Sequence, residues 1–544
     1  MKKALNRDRV FGFLRAQGME LRNGRDEQVL LLGWGLGNWL VCEGYMWGMG
    51  EFSQFDRPRR IERILEMLTG DKYAAHFWKR YREAYIAGAD LALMAEMGYN
   101  SIRVPISARL FLEEGERPRF REEGFLLLDA LLDACEKHGL YAFIDLHAAP
   151  GGQTGANIDD SPDDLCRLFI DEAQFERGLA LWEELARRYK ERWIIGGYDL
   201  LNEPIRPVRF EGDPNLDGYE PRLRAFYEEA IRRIRRHDRR HIVALEGMHW
   251  ATDNGIFDHV YDGNMVLQFH RYGCPPDIGA LRDCIEVATR LNVPLWLGET
   301  GENTMAWLSA LIPLALSLGI SVSLWPWKKQ ETDNSPCSIA EPEDWKLLRE
   351  YLKGGSRPTP EQAQQVFDRL LWNIRLENCR INAAITPNLL RVPGCAIQGT
   401  DFDALPGKGR SWHSEGVHAP GCYRRDAGMQ IVQANAGEEK LFYFDGPWRT
   451  ALLRLNPAEW AKCTVYDVTG NTRLEVECLA QSPARLEVRQ GDRLLGAFDL
   501  NGGSIARKLP GMRLYAADVC ELRLTALSGS VDIRMLSIQP VESE

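Results

Sequence analysis

An excess of positive charge is the first thing this chain lacks. Lys and Arg total 67 against 78 Asp and Glu, intermixed along 544 residues, for a formal net charge of −11. No basic stripe is present to displace counterions, so neither nucleic acid nor an anionic membrane is expected as a partner. The twelve cysteines are scattered singly, with no Cys-x-x-Cys pair and no histidines at zinc-type spacing. That argues against a disulfide framework or a metal cluster and suits thiols in a reducing compartment. The N-terminal Met-Lys-Lys-Ala-Leu-Asn-Arg-Asp-Arg has neither an apolar segment nor a cleavage site behind its basic residues. A cytoplasmic protein is the expectation, or a secreted one whose leader has been removed. Gly33-x-Gly35 stops short of a dinucleotide fingerprint, and no nucleotide, flavin or metal cofactor is expected. Internal repeats and low-complexity tracts are also missing.

What the chain does have is length and alternation. At 544 residues it exceeds one ordinary domain. Residues 10–30 read as a hairpin turning at Arg22-Asn-Gly24-Arg-Asp-Glu, ahead of a first apolar strand, Val29-Leu-Leu-Leu-Gly-Trp34. A helix over 85–97 precedes a strand over 101–105, and a helix over 124–139 precedes one over 141–147. A third helix, 175–192, leads into a strand ending at Glu203. Strands over 241–246, 265–270, 294–299 and 320–325 bring the set to eight, with room for only a small helix between Glu246 and His270. Eight apolar strands with helical patterns between most of them predict a (β/α)8 TIM barrel, closed by a helix over 360–380. Residues 305–327 carry no charge, long enough to raise a membrane span. Pro313, Gly319 and several serines interrupt that run, and it falls where the barrel places a buried helix and its last strand. Beyond Pro387 the texture changes to short alternating segments such as Leu441-Phe-Tyr-Phe, Ala451-Leu-Leu-Arg-Leu, Arg473-Leu-Glu-Val-Glu and Leu522-Arg-Leu-Thr-Ala. The expected partition is a barrel domain over 1–386 and an all-β sandwich, jelly-roll-like, over 387–544.

Strand ends at one rim of a barrel converge on one pocket. The polar residues at those ends are Arg103, His147, Asn202, Glu203, His270, Tyr272 and Glu299, with Trp325. Tyr198-Asp-Leu-Leu-Asn202-Glu203-Pro204 and Leu295-Trp-Leu-Gly-Glu299-Thr300 are each an apolar run stopped by a glutamate. Two such carboxylates suit cleavage of an acetal. One protonates the leaving oxygen and the other, about 5 Å away, attacks the anomeric carbon when configuration is retained. Their pKa values must be driven apart. Arg103 and Tyr272 suit holding one carboxylate ionised, His270 and Asn202 suit hydrogen bonding near the other, and Trp325 offers a flat face to a sugar ring.

Asn202-Glu203-Pro204, His270-x-Tyr272, Gly298-Glu299 and Trp325, with Gly37-Asn38-Trp39-Leu40, Ile102-Arg103-Val104-Pro105 and Asp145-Leu146-His147, resemble glycoside hydrolase family 5, the cellulase family, over roughly residues 10–385. The resemblance implies Glu203 as general acid/base and Glu299 as nucleophile, with Arg103, His147, Asn202, His270, Tyr272 and Trp325 in the subsite holding the cleaved sugar. Glu43 and Asp159 sit where the exo-acting β-1,3-glucanase and β-glucosidase branches have carboxylates gripping a terminal sugar. Cys42 and Gly44-Tyr45-Met46-Trp47 depart from the fungal pattern there. From about Arg391 the chain resembles carbohydrate-binding modules of families 6 and 35, on Tyr423-Arg-Arg-Asp426, Cys463-Thr-Val-Tyr466, Ala484-Arg-Leu-Glu-Val488 and the segment closing at Asp532-Ile533. Such modules often hold calcium and place aromatics on a sugar-binding loop. Here Gln398 replaces the usual first acidic residue and Asp532-Ile-Arg-Met replaces a closing aromatic, which weighs against both.

Three functions follow from this reading. The first is a retaining β-glucosidase or exo-β-glucanase acting on an oligosaccharide or β-glucoside. The second is an endo-β-1,4-glucanase or β-mannanase with an open cleft, and the third a non-catalytic carbohydrate-binding protein. Trp34, Trp39 and Trp47 are expected to pack rather than bind sugar.

Overall fold

The computed structural model describes residues 5–209, 211–416, 418, 423–424, 428–433 and 446–541. Eight parallel strands close into a barrel in chain order: Leu32–Gly35, Ser101–Ser107, Tyr141–Ala148, Ile195–Asp199, Ile242–Glu246, Met265–Arg271, Leu295–Thr300 and Ser321–Leu324. Every residue in them is buried except Arg271, because helices cover the outside and side chains fill the inside. The expected helices stand at Gly88–Glu96, Glu122–His138, Glu172–Tyr189 and Pro360–Asn373. Between Glu246 and Met265 only the short Met248–Ala251 turn forms. Pro58–Thr69 and Asp71–Tyr85 are further helices of the barrel domain, the first with Ile61, Leu65 and Leu68 on its buried face. The second carries aromatics every fourth residue, and Phe77, Tyr81 and Tyr85 stack along one buried face.

Two local expectations change. The N-terminal hairpin, Arg15–Gln17 with Glu20–Arg22, turns at Gly18-Met19. The segment after Arg22 instead joins the second strand to a third, Gln28–Val29, through an Asn23 side chain that accepts the Arg25 and Glu27 amides. The fourth barrel strand stops at Asp199, so Asn202 and Glu203 lie on the loop beyond it.

The charge-free run becomes a 13-residue helix, Met305–Ser317, and the last strand. No helix among the described residues is long and apolar enough to cross a membrane. The helix is apolar all round because it is covered twice. One side packs on the last barrel strand, and the other meets the Ile385–Leu390 helix, the Ala396–Gln398 strand and the Pro447–Thr450 turn.

The C-terminal part is two antiparallel sheets. One joins Gln430–Gln433, Ala451–Leu455, Val531–Pro540, Thr472–Ala480 and Gly503–Lys508, with two short edge pieces. The other joins Trp412–His413, Trp460–Val468, Ala517–Ser528, Ala484–Gln490 and Arg493–Leu500. Alternate residues such as Leu474, Val476, Leu486, Val488, Val465 and Leu524 are buried in the core, the period-two pattern of a sandwich. The segment 441–444 lies outside the described residues, as do residues 425–427. Gln398 donates to the Arg449 carbonyl and Asp532 pairs with Arg454, so both are engaged within the sandwich. The eleven described cysteines are unpaired, and nine of them are buried.

Candidate active site

Strand register gathers a polar layer at the C-terminal end of the barrel. Asp145 pairs with Asp199, Glu246 with Gln268 and Glu299 with His270. Arg103 rises from the second strand into their midst with no solvent exposure. Its Nε donates to Asp199 (2.8 Å), one terminal nitrogen to Glu299 Oε2 (2.6 Å), and the other to Asn202 Oδ1 (2.8 Å) and Glu246 Oε1 (3.0 Å). Asp145 lies 3.2 Å from the same nitrogen. A single guanidinium therefore faces four buried carboxylates. Burial raises Asp145 and Asp199 well above the usual carboxylate range, with Arg103 opposing it.

Glu203 is held by two neighbours. Its backbone N–H donates to Glu246 Oε2 (2.6 Å), and its Oε1 meets His270 Nδ1 at 2.7 Å. Its backbone is left-handed, φ 45°, which a glutamate adopts only when its surroundings demand it. The loop after the third strand supplies that demand on either side of it. The Gln153 amide donates to the carbonyls of His147 and Asn202, and its backbone carbonyl accepts the Ile205 N–H. Burial pushes the Glu203 carboxyl up to about 7, with His270 pulling the other way. Burial opposes charge on His270, yet Glu246, Glu299 and the bond to Glu203 raise it well above a free histidine. Glu246 is likewise penalised by burial but held below the usual range by His270 and Arg103.

Glu299 accepts the Tyr272 hydroxyl at Oε1 (2.9 Å) and Arg103 at Oε2. One ligand-capable atom from each of Glu203, His270 and Glu299 lies within 4.8 Å of the other two. Among the described residues this is the one group with the donor types for a metal ion. Its donors are already engaged with one another, Tyr272 and Arg103, and the adjacent guanidinium would repel a cation, so the set suits proton transfer better.

His147 is neutral: burial, then Arg103, lowers it to about 3. The Asn202 amide donates to its Nε2 (3.4 Å), leaving the Nδ1 proton for Asp145 (2.8 Å). Its ring stacks on Trp325, centroids 5.3 Å apart and planes 6° from parallel. Trp325 explains two glycines of the first strand-end loop. A Cβ on Gly35 would stand 2.5 Å from its Cε3, and one on Gly37 2.6 Å from its Cζ2. The Trp325 indole donates to the Tyr45 hydroxyl (2.9 Å), which donates to Glu302 (3.2 Å), and Glu302 pairs with Lys329 (2.6 Å).

Glu43 stands near this group. It is buried, its backbone N–H is held by Asn38, and burial, then Glu299, Glu302 and Glu203, raise its carboxyl well above the usual range. Asp159 departs from its expected role. Its Oδ2 accepts the Thr154 and Gly155 amides and the Thr154 hydroxyl, its Oδ1 the Ser161 amide, and it has no exposure. That carboxylate organises its own loop rather than facing a sugar. Trp34, Trp39 and Trp47 are buried, and Trp327 is fully buried on Asp90.

The apolar-run pattern passed over Glu246, Asp199, Gln268, Tyr45, Glu302 and Lys329. Glu246 ends an apolar strand exactly as Glu299 nearly ends its own, a signal that was visible; Tyr45 and Lys329 gave none. Two substitutions probe this layer. Arg103→Met, which leaves four buried carboxylates without their guanidinium, should cost about 3–5 kcal/mol or abolish folding, read from urea unfolding. Gly35→Ala should cost roughly 1–3 kcal/mol and displace Trp325, seen as a change in tryptophan emission.

Residues 68–331 match the family described as "Cellulase (glycosyl hydrolase family 5)". Among curated proteins the chain is similar to the "Beta-xylosidase" of Phanerodontia chrysosporium, 33% identical over 268 residues, covering 48% of this chain and 52% of that one. It is also similar to the "Glucan 1,3-beta-glucosidase" of Candida oleophila, 27% identical over 284 residues, covering 48% and 61%. The chain thus spans about half to three fifths of these relatives' length. Among solved structures, an endogalactoceramidase matches 96% of this chain and 100% of its own at 13% identity, with a TM-score of 0.47, too slight a likeness to carry weight. Residues 68–331, which run through the second to the eighth barrel strand, are thus similar to the cellulase-type glycosyl hydrolase family 5 domain.

Proposed function

We propose that this protein hydrolyses β-glycosidic bonds with retention of configuration, using Glu203 as acid/base and Glu299 as nucleophile. The observation that carries the reading is the approach of the two carboxylates to within 4.8 Å, with His270 beside them. Double displacement needs carboxyl groups about 5–5.5 Å apart, whereas inversion leaves a wider gap for water.

The roles follow from the surroundings. His270 occupies Glu203 Oε1 from its Nδ1, so the acidic proton resides on Oε2, free to pass to the leaving oxygen. With its carboxyl near 7, Glu203 is protonated in mildly acidic solution and can be re-formed as a base after the leaving group departs. Glu299 accepts from Arg103 at one oxygen and from Tyr272 at the other, which fixes both. As its charge passes into a bond with the anomeric carbon, the bond from that carbon to the glycosidic oxygen breaks and the leaving oxygen takes the proton from Glu203. Water, giving its proton to Glu203, then attacks the anomeric carbon, and the bond to Glu299 breaks to release the sugar and restore the carboxylate.

The exo-acting form, a β-glucosidase or exo-β-glucanase, is favoured by Glu43. Its carboxyl is buried and feels the charges of Glu299, Glu302 and Glu203. A buried carboxyl there can read the hydroxyls of a chain end. Similarity to a β-xylosidase and a glucan 1,3-β-glucosidase supports a β-linked xylose or glucose unit as the sugar. On this reading the protein is cytoplasmic, or secreted if a leader has been removed.

Glu203→Ala should slow cleavage of unactivated substrates by at least about 10²-fold, less for activated aryl glycosides, with azide restoring the rate. Equal loss on both substrates would contradict the acid role. The alkaline limb of kcat/KM should fall near pH 7, since deprotonating Glu203 removes the acid. A limb unchanged in Glu203→Gln would assign it to another group.

A further inference from the structure

The loop after the sixth barrel strand is tied to both domains at once. Tyr272 opens it and donates to Glu299. Two residues on, the buried Trp307 indole of the Met305–Ser317 helix donates to the Cys274 carbonyl (2.7 Å). The loop then crosses Pro275 and Pro276 to Asp277, whose Oδ2 accepts the backbone N–H of Arg424 from the terminal domain (2.8 Å). Arg424 is itself fixed. It is buried and left-handed at φ 52°, and its guanidinium donates to the Thr400 and Phe402 carbonyls and lies 4.0 Å over the Phe402 ring. A cavity of about 130 Å³ at this junction is lined by Pro276, Arg424, Phe402 and the helix residues Ala310 and Pro313.

We propose that Asp277 and Arg424 are positioning residues, through which the terminal domain holds Tyr272 on the nucleophile. The idea rests on the reading of Glu299 given above. A hydrogen bond of 2.9 Å tolerates little drift, and a shift of about 1 Å at a donor is enough to reduce catalysis severely. Arg271, next to Tyr272, donates to the Ala280 carbonyl, and the Ala280 N–H donates to the Asp277 carbonyl, so a shift at Asp277 reaches the residue beside Tyr272.

The test compares full-length wild type with Asp277→Ala, Asp277→Asn, Tyr272→Phe and the Asp277→Ala/Tyr272→Phe double variant on an aryl β-glucoside. Asp277→Ala should lower kcat about tenfold with KM little changed. It should also move the acid limb of kcat/KM to higher pH, as Tyr272→Phe does, because a carboxylate deprived of a donor takes up a proton more readily. Asp277→Asn, whose amide oxygen still accepts the Arg424 N–H, should behave as wild type. In the double variant Asp277→Ala should add nothing to Tyr272→Phe. Hydrogen exchange over residues 272–277 should quicken in Asp277→Ala. Unchanged exchange, an unmoved acid limb or additive losses would overturn the proposal. If Asp277→Ala does not fold, Trp307→Phe releases the tie at Cys274 and must shift the limb the same way. Wild type inert toward aryl β-glycosides strikes at the functional reading, while the exchange result still decides the tie.

Discussion

The layer around Arg103 is the constraint on which the site depends. A guanidinium withdrawn wholly from water is tolerable only when anions surround it, and carboxylates buried at that depth are tolerable only beside it. Asp145, Asp199, Glu246 and Glu299 come from four different strands. Each fixes the others' orientation, so Glu299 is set by the same contacts that hold this layer together. His270 extends the arrangement toward Glu203. Burial opposes its charge while Glu246 and Glu299 favour it, and its Nδ1 lies against Glu203, so one ring feels both glutamates.

Geometry is enforced outward from that layer. The left-handed Glu203 backbone is held by Glu246 beneath it and by the Gln153 bridge beside it. Asp159 stiffens the loop that carries Gln153. On the opposite wall the Trp325 ring lies against backbone too close for any side chain at Gly35 or Gly37. Strain and close approach thus concentrate where the chemistry needs fixed atoms, and ordinary packing maintains them.

The terminal sandwich belongs to the same argument. The helix Met305–Ser317 has no polar face because each side meets protein, barrel on one and sandwich on the other. Trp307 on that helix and Arg424 beyond it both reach the loop that presents Tyr272. The second domain is in contact with the machinery of the first, whatever else its outer surface does.

The barrel, its strand positions to within a few residues, and the meeting of Glu203 and Glu299 at one rim were legible in the chain alone. These are local signals: a buried strand must be apolar along its length, and a polar residue at its end has few other reasons to be there. His147, His270, Asn202, Tyr272 and Arg103 were legible in the same way, since each closes or follows such a run. Only the tertiary structure decided which carboxylates share Arg103, that Asp159 turns inward, and that Tyr45, Glu302 and Lys329 stand behind Trp325. The hairpin turn at Gly18 and the end of the fourth strand at Asp199 were likewise settled by pairing. Those facts depend on distances between residues up to 300 positions apart, such as Tyr45 and Trp325, 280 residues distant. No periodicity records such distances, because they arise when the barrel closes and strands remote in sequence become neighbours around one axis.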